Sequence, residues 1–191
     1  MVTESTFPRL LVDRARQFGS KKVALREKEF GIWQEVTWEE YLNRVRDFCL
    51  GLLALGLQRG DTVAMIGDNR PEWLFAELAA QAARGVAVGL YQDSIMKEVV
   101  YIINHCDAKF IVAEDQEQVD KFLQTLDEIP NVLKIIYTDP RGMRGYREEI
   151  LMDFTRVEEM GREYGRENAA AFEENLALGQ PDDMAVIAYT S

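Results

Sequence analysis

The chain has 191 residues, of which 47% are hydrophobic, enough to bury a core and too much for a disordered polymer. A formal charge of −11 excludes a general nucleic-acid binder, since phosphate neutralisation needs a basic surface. A nucleotide site stays open, because a few backbone N–H groups and one cation can make it.

The spacing of Leu10, Leu11, Ala15 and Phe18 predicts a helix over Phe7–Phe18. Val23–Lys28 and Ile32–Thr37 read as the strands of a short hairpin around Phe30-Gly31. Thr37-Trp38-Glu39-Glu40 has the capping-box pattern. The helix it opens carries Tyr41, Val45, Phe48, Leu52 and Leu55 as a core-facing stripe, and Gly56 supplies a left-handed stop.

A strand–helix rhythm follows. Thr62–Ile66 reads as a strand, and Pro71 opens a helix with an alanine-rich surface suited to close packing. Val86–Tyr91 is the next strand, and Asp93-Ser94 is expected to cap a helix over Ile95–Asn104. Lys109–Ala113, Gln116–Leu126 and Val132–Tyr137 read as strand, helix and strand. Short, nearly continuous apolar strands between amphipathic helices predict an α/β fold. The expected architecture is a layered α/β/α domain with a mostly parallel sheet, plus the amino-terminal β-hairpin.

Residues 141–183 are expected to interrupt the rhythm as a charged helical excursion within a single domain, 1–191. Its helices, Asp153–Gly161 and Glu167–Leu178, would carry mostly solvated charge. Met184–Tyr189 then returns to the sheet. The longest apolar stretch, 74–91, is broken by Glu77, Arg84 and Gly85, so no transmembrane segment is expected. No signal peptide is read before the first periodic segment, and the cytoplasm is the expected compartment.

Few residues carry a chemical pattern. Thr190 and Ser191, at the end of an apolar run, read either as a strand end or as the start of a phosphate-binding loop. Tyr91, Gln92 and Asp93 follow a strand's carboxyl end, where open parallel sheets place ligands; they could line a cleft or cap the next helix. Asn69 and Arg70 precede a helix and read as a turn, with Asp68 or Asn69 as cap and Arg70 on the surface; Trp73 reads as packing. His105, the only histidine, sits at a helix end and is expected to cap it. Cys49 and Cys106 have no metal-ligand spacing and read as buried free thiols, with a disulfide as the alternative; no metal site is expected.

Four segments together, 66–73, 89–94, 112–120 and Tyr189-Thr190-Ser191, resemble bacterial long-chain fatty-acid–CoA ligases, AMP-forming members of the adenylate-forming superfamily. The opening segments 7–11, 23–28 and 32–38 resemble the same group. In that family the terminal motif continues Tyr-Thr-Ser-Gly-Thr-Thr-Gly-x-Pro-Lys-Gly, whose hydroxyls, amides and lysine wrap the ATP phosphates. The resemblance implies a fatty acid activated by ATP and Mg²⁺ to acyl-AMP and transferred to CoA. Thr190 and Ser191 would then begin the ATP/phosphate-binding loop, and no catalytic residue would lie on this chain. It further implies an amino-terminal fragment, truncated at that loop, inactive by itself and binding no cofactor tightly. Its partner would be the remainder of the ligase chain, and a homodimer is compatible with the group. Two rivals stand beside this: a stand-alone scaffold or assembly domain, and an adenylating enzyme for aryl or short-chain acids.

Overall fold

A computed structural model describes residues 5–189 of the chain. Helix α1 (Phe7–Phe18) leads into the hairpin β1 (Val23–Glu29) and β2 (Ile32–Thr37), paired antiparallel. Phe30 and Gly31 turn it with φ of 47° and 81°, the consecutive positive values a tight two-residue hairpin turn needs. Helix α2 (Trp38–Ala54) opens on the expected capping box: the Thr37 hydroxyl accepts from the Glu40 N–H, and the Glu40 carboxylate accepts from the Thr37 N–H.

The remaining elements are β3 (Thr62–Ile66), α3 (Pro71–Ala82), β4 (Val86–Leu90), α4 (Met96–His105), β5 (Ala108–Ala113), α5 (Gln116–Leu123), β6 (Lys134–Tyr137), β7 (Leu151–Asp153), α6 (Phe154–Glu167), α7 (Ala171–Leu178) and β8 (Val186–Ile187). Six strands form one sheet in the order β7-β6-β5-β3-β4-β8, and every neighbouring pair is parallel. Alternation along each strand splits the core in two. Val63, Met65, Phe110, Val112 and Ile136 face a cluster built with α1, α2, α3, α6 and α7. Ala64, Ile66, Ile111, Ala113 and Ile135 face α4 and α5. The layered α/β/α arrangement and the hairpin are thus as expected.

Several details differ from the sequence reading. Residues 141–183 add an edge strand, β7, to the sheet before returning through two helices. Helix α6 is not only a solvated surface. Phe154, Val157, Glu158 and Gly161, on one face at helical spacing, are buried against α2. The two backbones touch: a Cβ on Gly161 would stand 1.7 Å from the Asp47 carbonyl oxygen, and one on Gly51 2.2 Å from that of Val157. Phe48 stacks on Phe154 with ring centroids 4.1 Å apart, which contributes roughly 0.5–1.5 kcal/mol beyond the area buried. Asp93-Ser94 does not cap α4: Ile95 occupies the cap position with no side-chain cap bond, and the Ser94 N–H donates to the Tyr91 carbonyl in a turn before it. Helix α5 stops short of Leu126, which begins a 3-10 turn, and β8 is shorter than 184–189. No helix among the described residues is long and apolar enough to cross a membrane.

Candidate functional site

Strands β3 and β4 lie side by side, yet α3 packs on one face of the sheet and α4 on the other. Loops leaving two neighbouring strands in opposite directions open a crevice at their carboxyl ends, the usual ligand position in such sheets. A cavity of about 440 Å³ occupies that place, lined by Gly67–Asn69, Trp73, Gly89–Asp93 and residues 186–189.

The wall formed by the β3–α3 turn is anchored from behind. Gly67 has φ of 149°, and a Cβ there would stand 2.5 Å from the Cβ of Glu114, so the turn can sit against the end of β5 only as glycine. The Asp68 N–H donates to the Glu114 carboxylate. Arg70 lies between Glu27 of the hairpin, 3.2 Å away, and Glu114, 3.7 Å away. Burial raises the Glu27 carboxyl above its ordinary range, and Arg70 opposes that rise. Arg70 is therefore half-buried and paired, where the sequence reading had it on the surface, and neither Asp68 nor Asn69 caps α3.

The opposite wall follows β4. Tyr91, Gln92 and Asp93 all line the crevice. The Gln92 amide donates to Asp68 across its mouth at 3.0 Å, and the Lys121 ammonium donates to the Gln92 carbonyl and to Gln118. Tyr91 is 78% exposed and Asp93 is exposed as well. Trp73 packs over Gly89, where a Cβ would come within 3.2 Å of the indole. The floor toward β8 ends at Tyr189, whose hydroxyl lies 2.7 Å from His105 Nδ1. His105 occupies the last turn of α4, but its ring serves Tyr189 and not the helix end. Thr190 and Ser191 lie outside the described residues.

This lining decides what the crevice can hold. Its only ionisable acid–base groups besides tyrosines are the carboxylates Asp68 and Asp93, and no Lys or Arg lines it. Two carboxylates without a cation in the lining disfavour a triphosphate there electrostatically. Among the described residues no group of three or more His, Cys, Asp or Glu is placed to hold a metal ion. Sequence reasoning located Tyr91–Asp93 but missed the Glu114–Arg70–Glu27 brace and the His105–Tyr189 pair. The parallel register that sets Ile66 beside Ala113 brings Gly67 and Glu114 together, and a sequence shows no pairing register.

Comparison with known proteins agrees with this geometry. The AMP-binding enzyme family matches residues 11–191. Long-chain-fatty-acid–CoA ligase ACSBG2 of Xenopus laevis is 33% identical over 131 residues, 69% of this chain and 18% of that protein. The human long-chain-fatty-acid–CoA ligase ACSBG1 is 28% identical over 187 residues, 97% of this chain and 25% of that protein. The chain thus spans about a fifth to a quarter of the length of these relatives. The A-PCP didomain of carboxylic acid reductase from Segniliparus rugosus, solved in complex with AMP, superposes with a TM-score of 0.71 over 98% of this chain and 30% of that one. At 17% identity that likeness concerns the fold alone. With the family model matching residues 11–191, nearly all of its length, the chain belongs to the AMP-binding enzyme family.

Proposed function

We propose that this chain is the amino-terminal, AMP-binding subdomain of a cytoplasmic long-chain fatty-acid–CoA ligase, working with the remainder of the ligase polypeptide. The observation that carries the reading is the family match over residues 11–191, together with relatives named for long-chain fatty acids. In the complete enzyme a fatty-acid carboxylate would attack the α-phosphate of MgATP, forming acyl-AMP and releasing pyrophosphate. The CoA thiol would then displace AMP.

The described residues take the part of scaffold and wall in that scheme. Strand β8 delivers the chain to Thr190 and Ser191, which would begin the phosphate-binding loop. The brace behind Gly67 and the Gln92–Asp68 bond hold the two crevice loops in fixed relation. Such positioning lets a loop bind without a further ordering cost. The described lining does not suit the phosphates, so their hydrogen-bond donors and any Mg²⁺ site belong elsewhere in the ligase.

The substrate class can be tested by trapping acyl-AMP with hydroxylamine, using the ligase that carries this chain and palmitate, benzoate or acetate. Hydroxamate from palmitate in clear preference is expected. Preference for benzoate or acetate would replace the fatty-acid reading with an aryl or short-acid one, and no hydroxamate from any acid would remove the adenylating reading.

A further inference from the structure

Tyr189 is the last described residue before Thr190 and Ser191, and it does not end in open solvent. Its hydroxyl meets His105 Nδ1 at 2.7 Å, and its ring stands edge-on to the imidazole with centroids 5.7 Å apart. The imidazole is held in turn by Tyr101, one helical turn earlier on α4, stacked with centroids 5.4 Å apart and planes 21° from parallel. Among the described residues strand β8 has two paired residues, Val186 and Ile187, with β4 as its neighbour. Two residues of ladder define a chain direction poorly, so the tether at Tyr189 supplies a constraint the sheet does not.

We propose that His105, backed by Tyr101, is a positioning residue that clamps Tyr189 and thereby fixes the chain at the residue that precedes Thr190 and Ser191, the expected phosphate-binding hydroxyls. The functional half of this rests on the ligase reading above; the clamp itself does not. Burial holds the Tyr189 phenol above its ordinary range, so it stays neutral and able to donate to Nδ1. His105 is exposed on its outer side, so replacing it leaves both core clusters intact.

The test uses the fact that His105 is the only histidine of the chain, so a single pair of imidazole nitrogen signals reports on it. In ¹⁵N-labelled 1–191, Tyr189→Phe should move the Nδ1 signal away from a hydrogen-bonded position. Tyr164→Phe, on α6 and packed on the opposite face of the sheet from α4, should leave it in place. Unchanged signals in Tyr189→Phe would overturn the clamp whatever the enzyme does. In the ligase carrying the chain, His105→Ala should raise KM for MgATP about three- to tenfold, the effect of losing one hydrogen bond, with KM for the fatty acid unchanged. His105→Gln, which keeps an amide in reach of Tyr189, should recover part of that loss. Equal rises for both substrates, or none for MgATP, would overturn the positioning role while leaving the ligase reading intact. An enzyme that activates no acid even with His105 in place would instead refute the ligase reading.

Discussion

Replacing Gly161 with alanine tests the packing of α6 on α2, the layer that carries the 141–183 segment into the core. The added Cβ would lie 1.7 Å from the Asp47 carbonyl oxygen and 2.7 Å from the Gly51 nitrogen, both backbone atoms inside a helix. No side chain can rotate away, so α6 must retreat by about 1.5–2 Å to restore van der Waals separation. That retreat loosens the Phe48–Phe154 stack and the Arg44–Glu158 and Arg162–Asp47 pairs. Overpacking of this kind costs about 3 kcal/mol, at the upper end of the usual range because backbone is the obstacle. Alanine's better helix propensity returns about 1 kcal/mol, leaving a net loss of about 2 kcal/mol. For a domain of this size that lowers Tm by roughly 4–8 °C. Thermal and urea unfolding followed by circular dichroism would measure it, with Gly165→Ala as control. At Gly165 the new Cβ would meet only the tip of Leu50, at 3.0 Å, so that variant should be neutral or slightly more stable. If Gly161→Ala proves as stable as Gly165→Ala, the close helix contact does not exist.

Three further outcomes follow from the same structure. Thr37→Ala removes the hydroxyl half of the capping box and should cost about 1 kcal/mol in urea unfolding at neutral pH; an unchanged midpoint would mean the box contributes nothing. Burial raises the Glu158 carboxyl above its ordinary 4.5, and the adjacent Arg44 only partly offsets that. An acid raised in the folded state contributes most below its unfolded value and loses that contribution as pH rises through the folded one. Wild-type stability relative to Glu158→Gln should therefore fall as pH rises above about 4.5, and a difference that grows with pH would refute the assignment. Cys49 is fully buried with its thiol pushed far up, while the half-buried Cys106 is pushed up to about 11. A disulfide-exchange reagent at neutral pH should label the native chain slowly, Cys106 first, and both thiols on unfolding; fast labelling of Cys49 would show the core is open.

What the sequence made readable was local. Pro71, the Thr37–Glu40 box and the uninterrupted apolar runs of β3, β4 and β5 each carry their signal within a few residues, and each element forms where expected. Strand β7 escaped because three residues, paired with β6 among the described residues, are too few to show a period. The buried stripe of α6 was present as Phe154, Val157, Glu158 and Gly161, but a charged residue on the core side and a small one at the crossing made it look like solvated surface. Arg70 was misplaced for a different reason: its partners Glu27 and Glu114 come from the hairpin and from β5, and only the tertiary fold brings them together. In the crevice, the strand's carboxyl end placed Tyr91, Gln92 and Asp93 where they line the cavity. That placement could not show that Gln92 reaches across to Asp68, since that depends on the spacing of two loops.

If this chain is the scaffold of a fatty-acid ligase, as proposed, palmitate-dependent ATP–pyrophosphate exchange requires the longer polypeptide. The assay should be run on 1–191 alone and on the ligase polypeptide that contains it. Exchange is expected in the longer polypeptide and none above background in 1–191. Exchange by 1–191 alone would show that the carboxylate-lined crevice does bind and activate ATP, and absence of exchange in both would contradict the ligase assignment.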